Sequence, residues 1–237
     1  MVTTNNKAQA GSSMLLIVAA LNEEEGIGPT LEEARRILDG PFCLVVDGGS
    51  HDNTVRVAEL SGAKVIRQNG FGKGDAIGTG LRYACGFDFK YVALVDADYT
   101  YPAEYLLEMI EVLEKNPKVG MVCGNRFGPE SDLGSITDIF YFGNRLIAFM
   151  HDFFNGVSLA DPLTGLRVVR WEIIKNWKPE SRGFDVEVEL NHYVERKGFG
   201  ILEVPIRYRQ RLGEKKLKLR HGFTILRRIL LETLQTT

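Results

Sequence analysis

Short apolar runs recur along the first half of the chain, separated by stretches with helical spacing. Leu15–Ala20, Phe42–Val46, Lys64–Arg67, Tyr91–Val95 and Val119–Cys123 are mostly apolar without regular polar alternation. That pattern predicts strands buried on both faces, as in a parallel sheet. Between them, residues 26–38, 53–61, 74–86 and 102–115 predict helices. Pro102 suits the first turn of the last one, with Thr100 or Tyr101 as its cap. Alternation of this kind is the mark of a doubly wound α/β sheet. Ligands in such sheets sit at the carboxyl ends of the strands, so the residues that directly follow each strand are the informative ones.

The second half is less regular. Phe140–Phe154 predicts an amphipathic helix, Leu166–Val169 a strand, Phe184–Lys197 a helix and Ile201–Ile206 a strand. His221–Leu234 predicts a terminal helix with Phe223, Leu226, Leu230 and Leu234 on one stripe, and Ile225 and Ile229 beside it. No internal repeat interrupts the chain. The simplest organisation is a flexible leader over 1–13, one domain over 14–206, and a basic loop with an amphipathic helix over 207–237.

Composition narrows the class. The chain has 237 residues, 44% hydrophobic and 25% charged, which is globular and excludes disordered, collagenous and disulfide-scaffold proteins. Cys43, Cys85 and Cys123 lie among apolar residues without metal-ligand spacing, and read as buried free thiols in a reducing compartment. No apolar run reaches the roughly 18 residues of a membrane-spanning helix, and the polar leader does not read as a signal peptide. The net charge is −2, but nine Lys and Arg against one acid fall between Arg207 and Arg228. An acidic body with a basic C-terminal segment points to a local anionic partner: a phosphate, a membrane headgroup or a nucleic acid. A solvated basic face is the plain alternative.

Candidate chemistry follows the strands. Asp96-Ala97-Asp98 comes directly after Tyr91–Val95. Residues i and i+2 of a strand share a side, so two carboxylates can converge on a hard cation such as Mg²⁺ or Mn²⁺, completed by substrate phosphates. The alternative is a turn in which the aspartates cap the next helix. Asp47-Gly48-Gly49-Ser50, which can meet a base or ribose, and Asn22-Glu23-Glu24-Glu25 have the same ambiguity with turn chemistry. Gly70-Phe71-Gly72-Lys73-Gly74 opens a helix, where backbone amides and Lys73 suit an anion. It is not a P-loop, because Gly74 rather than Ser or Thr follows the lysine. Gly72, Gly74 and Gly78 approach a dinucleotide fingerprint, but on the third strand, and paired acids fit a metal better than a ribose.

Taken in order, these motifs resemble a known family. They are Asn22-Glu23-Glu24, Val46-Asp47 through Asp52-Asn53-Thr54, Gly72-Lys73-Gly74, Asp96-Ala97-Asp98 with Thr100 and Pro102, and Gly124-Asn125-Arg126-Phe127. Phe142-Gly143-Asn144, Asp161 with Thr164-Gly165 and Arg167, Glu203-Val204-Pro205 and Arg211 with Gly213 and Lys216 continue the series. Over about residues 14–230 the chain resembles the family 2 inverting glycosyltransferases, in their dolichyl-phosphate mannosyltransferase-like branch.

The resemblance implies a GT-A fold: one Rossmann-like, nucleotide-sugar-binding α/β domain with a mainly parallel sheet flanked by helices. It implies donor-nucleotide contacts at Asn22, Glu23, Asp47, Lys73 and Asp96. It implies a divalent metal, Mg²⁺ or Mn²⁺, at Asp98, Asp96 and Thr100, where Thr100 stands in for a usual Gln. Arg126 looks like an acceptor-phosphate ligand, with Arg145 or Arg167 as further candidates, and Arg211 and Lys216 like the basic pair that closes over the phosphates. Asp96, Asp98, Arg126, Arg211 and Lys216 thus form the expected catalytic set.

The partners implied are a nucleotide sugar (GDP-mannose first, a UDP-sugar second), a dolichyl or polyprenyl phosphate, and the cytoplasmic face of a membrane, not a nucleic acid. A soluble acceptor, or a GT-A module that binds without turnover, are the alternatives. The terminal helix can contact an anionic bilayer or pack on the domain, and Phe140–Phe154 has the same two readings.

Overall fold

A computed structural model describes residues 13–38, 40–127, 139–214, 216 and 221–235. The 1–13 leader therefore falls almost wholly outside the described residues. The strands are β1 (Met14–Ala20), β2 (Phe42–Asp47), β3 (Lys64–Arg67), β4 (Tyr91–Asp96), β5 (Val119–Asn125), β6 (Arg167–Arg170) and β7 (Gly200–Pro205). The helices are α1 (Ile27–Leu38), α2 (Thr54–Leu60), α3 (Lys73–Ala84), α4 (Tyr105–Lys115), α5 (Ile139–Asn155), α6 (Trp171–Ile174), α7 (Val186–Arg196) and α8 (His221–Gln235).

All seven strands form one sheet in the order β3-β2-β1-β4-β6-β5-β7. The pairs β1–β2, β1–β4, β2–β3 and β5–β7 are parallel, whereas β6 runs antiparallel to both β4 and β5. The mainly parallel α/β sheet expected from the apolar runs is thus present, with one reversed strand inserted.

Alternation along the strands builds two cores. Leu16, Val18, Val45, Ala93 and Val95 face Leu31 of α1 and Met109 of α4. Leu15, Ile17, Leu44, Val46 and Leu94 face Ile77 and Leu81 of α3 and Leu190 of α7. With both faces covered, β1 has no polar position to alternate, which is why it reads as a continuous apolar run. A smaller cluster joins α5, α7 and α8 through Ile147, Val188, Ile225 and Ile229.

Several local expectations shift. The helix after Asp98 starts at Tyr105 rather than at Pro102, and its cap position is Glu104, not Thr100 or Tyr101. Thr100 is instead drawn inward by a hydrogen bond to Asp98. Cys43 and Cys123 are buried free thiols, but Cys85 is exposed, because α3 ends just before it. In α8 the inward stripe is Ile225 and Ile229, while Phe223, Leu230 and Leu234 point outward at 79%, 47% and 73% exposure.

Candidate active site

The carboxyl ends of β1, β2 and β4 meet along one edge, because Ala20 is in register with Asp47 and Ala19 with Asp96. Two loops at this edge are tied together. Asn22 N–H donates to Ser50 Oγ at 2.9 Å, His51 N–H to Asn22 Oδ1 at 2.8 Å, and Glu23 N–H to Thr54 Oγ1 at 2.7 Å. Asn22 has φ of 51°, a left-handed backbone that Asn tolerates better than most residues. Asp47 accepts from Gly49 N–H at 3.0 Å and Ser50 N–H at 3.1 Å, so its carboxylate shapes the turn beside it.

The Asp-x-Asp turn after β4 is anchored internally. Thr100 Oγ1 donates to Asp98 Oδ1 at 2.6 Å, and Thr100 is wholly buried. The Thr100 hydroxyl, expected near the metal, is thus committed to Asp98 in this structure. Burial pushes the Asp98 carboxyl up, and the negative charge of Asp96 adds to that. The second oxygen, Oδ2, faces Arg211 Nη1 at 3.5 Å.

Asp96 accepts from Lys73 Nζ at 2.5 Å, and the same ammonium lies 2.7 Å from Glu187 of α7. Burial works against the charge on Lys73, but Asp96 and Glu187 outweigh it and hold the ammonium firmly protonated. Gly165 leaves room for this acid, since a Cβ there would lie 2.1 Å from Asp96 Oδ2.

The basic segment reaches this edge by main-chain pairing. Arg209 N–H donates to Thr100 O at 2.9 Å and Leu212 N–H to Asp98 O at 3.0 Å. Arg211 is thereby set over the turn, and its Nη2 donates to Glu23 Oε1 and Oε2 at 2.8 and 3.0 Å. Lys216 Nζ donates to Asn22 O at 3.0 Å. Burial raises Glu23 to about 7 against the pull of Arg211 and Lys216. The Nε of Arg211 is buried and has no hydrogen-bond partner among the described residues. A buried donor of this kind is costly unless something accepts from it.

Arg126 directly follows β5. Its Nε and Nη2 each donate at 2.7 Å to Asp161, which is fully buried, and its guanidinium lies 5.4 Å from the Tyr208 ring centroid. One edge of the guanidinium fork is thus filled by Asp161, and among the described residues no further hydrogen bond is made along the Nη1–Nη2 edge. Glu203 fixes Asp161 in turn, accepting from Ala160 N–H and Asp161 N–H at 2.8 Å each. Tyr101 and Tyr208 pack edge to face at 5.2 Å, and the Tyr101 hydroxyl accepts from Gly165 N–H at 2.7 Å.

The expected residues Asn22, Glu23, Asp47, Lys73, Asp96, Asp98, Arg211 and Lys216 therefore gather at one edge, with Arg126 on the other side of the two tyrosines. Arg167 does not join them. It is 1% exposed and donates to Thr164 O, Pro162 O and Asn191 Oδ1, so it is a core arginine rather than an acceptor ligand. Arg145 is exposed on α5. Arg228, in the basic C-terminal segment, is also buried among acids, because α8 turns it inward. Glu187, Asp161 and Glu203 were not singled out by role in the sequence, although two of them lie in quoted motifs.

Among the described residues no group of three His, Cys, Asp or Glu forms a metal cage. The donors still suit an ion completed by substrate: burial and the charge of Asp96 raise the cost of ionising Asp98, and a divalent cation bound by one or two acids plus phosphates would relieve it.

A mainly parallel sheet with an acidic turn at its carboxyl edge, ringed by cations, is a GT-A type of fold. The chain belongs to glycosyl transferase family 2, whose sequence model matches residues 15–177. A dolichyl-phosphate hexose transferase of Haloferax volcanii is 32% identical, covering 86% of this chain and 86% of that protein. A polyprenol monophosphomannose synthase of Mycolicibacterium smegmatis is 26% identical over 86% of this chain and 80% of that one. Glucosyl-3-phosphoglycerate synthase of Mycobacterium tuberculosis, solved with Mn²⁺, uridine diphosphate and phosphoglyceric acid, superposes with a TM-score of 0.74. It is 20% identical, and the match covers 98% of this chain and 82% of that one. The motif resemblance to the dolichyl-phosphate mannosyltransferase-like branch is thus borne out by the family and its named relatives.

Proposed function

We propose that the chain transfers a hexose from a nucleotide sugar to a polyprenyl phosphate, with inversion at the anomeric carbon. GDP-mannose is the leading donor, in keeping with the polyprenol monophosphomannose synthase among its relatives. A UDP-hexose is the second reading, favoured by the fold's likeness to an enzyme solved with UDP-glucose. The observation that carries the proposal is the buried Nε of Arg211 beside Asp98, which has no hydrogen-bond partner among the described residues and is a donor suited to a diphosphate oxygen.

The reaction asks for positioning and charge neutralisation more than for a base. A phosphate monoester has a second pKa of about 6 and is already a nucleophile near neutral pH. One of its oxygens forms a bond to the anomeric carbon as the bond from that carbon to the diphosphate breaks, and the nucleoside diphosphate leaves. Asp98 and Asp96 would hold a divalent cation, which supplies positive charge to the leaving group. Lys73, Arg211 and Lys216 add fixed positive charge on the same side. Arg126 orients the acceptor phosphate through its open edge. Asn22 and Asp47 shape the pocket for the nucleoside.

The lipid end of the acceptor fits an apolar surface. Phe142, Leu146, Phe149 and Phe153 of α5 are 59%, 53%, 64% and 71% exposed, on one helical face that also carries Arg145. Phe223, Leu230 and Leu234 form a matching outer face on α8, beside the exposed Arg227. No helix among the described residues is long and apolar enough to cross a membrane. We therefore read the protein as peripheral to the cytoplasmic face of a membrane, held by these helices and the basic segment.

Equilibrium binding tests the donor half directly. Calorimetric titration with GDP and with UDP, each with and without Mn²⁺, should give metal-supported binding of one nucleotide in preference to the other. Absence of binding for both would remove the proposal.

A further inference from the structure

The C-terminal helix sends two charges inward, Arg228 and Glu232. Arg228 of α8 is 6% exposed, and its guanidinium lies 3.1 Å from both Glu180 and Glu232, 3.5 Å from Glu189 and 3.8 Å from Asp185. Glu189 has a second task. Its Oε1 accepts from Glu180 N–H at 2.9 Å and its Oε2 from Ser181 N–H at 2.7 Å. Arg228 and Glu189 together hold the 180–182 backbone.

That backbone is the wall behind the start of α3. Gly74 N–H donates to Arg182 O at 2.9 Å. A Cβ on Gly74 would fall 2.0 Å from Ser181 O, and one on Gly72 2.2 Å from Arg182 O. The two segments touch main chain to main chain, so a shift in one must move the other. Lys73 lies between the two glycines and reaches Asp96.

We propose that Arg228 is a positioning residue for the donor site: through Glu189 it fixes the 180–182 backbone against Gly72–Gly74 and so couples the C-terminal helix to donor-phosphate binding. This rests on reading Gly72–Gly74 as part of the donor cradle. An apolar residue at position 228 would pack beside Ile225 and Ile229 but would leave the buried Glu189 and Glu232 without this counter-charge. The charge there gives geometry that packing alone does not.

The test uses the full chain, with GDP and UDP plus Mn²⁺ as probes and amide hydrogen exchange as a readout independent of binding. Arg228→Met should weaken nucleotide binding about tenfold and speed exchange at the Gly74 amide. Turnover at saturating donor should stay within about twofold of wild type, so that the loss falls on KM. Arg228→Lys should recover part of the affinity, because it keeps a charge near Glu189. Glu189→Gln should act in the same direction, and the double variant Arg228→Met/Glu189→Gln should lose less than the two single losses combined. These milder variants keep the test decisive if Arg228→Met does not fold. The proposal is overturned if the wild type binds nucleotide and the variants bind equally well with Gly74 exchange unchanged. If the wild type binds neither nucleotide, the donor-site reading fails, while the exchange rates still decide whether α8 and Gly74 are coupled.

Discussion

Arg211 lies between Glu23 and Asp98, with Nη2 2.8 Å from Glu23 Oε1 and Nη1 3.5 Å from Asp98 Oδ2. A cation from the C-terminal segment thus occupies the electrostatic position that a divalent metal would share. A bound divalent cation and Arg211 would compete for the Asp98 carboxylate. We expect Arg211→Gln to bind Mn²⁺ a few-fold more tightly without nucleotide, yet to turn over at least about tenfold more slowly, because the leaving diphosphate loses a donor. Manganese titration by electron paramagnetic resonance, alongside a turnover assay, separates the two effects.

The two aspartates of the turn should not fail alike. Asp98 leans on Thr100, and Asn at 98 keeps an oxygen for that hydroxyl. Asp98→Asn should leave the melting temperature nearly unchanged and abolish metal-supported donor binding. Asp96 balances Lys73, whose only other acid partner among the described residues is Glu187. Asp96→Asn should therefore also destabilise the fold, by about 2–3 kcal/mol in a denaturant titration.

The Arg126–Asp161 pair gives a similar contrast. Asp161 is fully buried, so Arg126→Met leaves an uncompensated interior carboxylate and should cost about 3 kcal/mol or more. Arg126→Lys keeps the charge but not the fork. It should remain folded and raise the acceptor KM about tenfold, with donor affinity unchanged. Equal damage to both affinities would move Arg126 to the donor side.

Most of the fold was legible in the sequence because burial on both faces leaves a continuous apolar run, and four such runs mark β1, β2, β4 and β5, whereas β3, expected to be buried as well, is a half-exposed edge strand. The short reversed strand β6 was legible as a strand but not in its direction. Orientation there depends on its pairing with β4 and β5, partners distant along the chain. The four-residue α6 carries too few residues for a period. The acids and Lys73 gathered at the carboxyl edge were readable since each follows a strand or opens a helix. The supporting residues were not. Glu187, Asp161 and Glu203 act through partners remote in sequence, and Arg167 and Arg228 look like surface cations until their helices and strands are placed. The hydrogen bond from Thr100 to Asp98 was not legible either, because the resemblance places Thr100 only by its position in the motif.

Acid should weaken the fold through His151. Burial pushes this residue down to about 3, whereas an unfolded histidine sits near 6.5. Between those values the unfolded state binds the additional proton, so stability falls as pH drops through that window. Asn155 Nδ2 donates to His151 Nδ1 at 3.1 Å, which fixes the neutral ring with its proton on Nε2. We expect wild type to lose up to about 3 kcal/mol more than His151→Leu between pH 6.5 and 4. Denaturant titrations at several pH values give both slopes.

The transfer itself is the most direct thing to measure. The purified chain would be incubated with GDP-mannose and with UDP-glucose, each with Mg²⁺ or Mn²⁺, and a short-chain polyprenyl phosphate, and the lipid product read by mass spectrometry and by the anomeric coupling in NMR. We expect a polyprenyl phosphate heavier by one hexose residue, with the anomeric configuration inverted relative to the donor and with formation stopped by a chelator. Transfer only to a soluble acceptor, or a retained configuration, would contradict it.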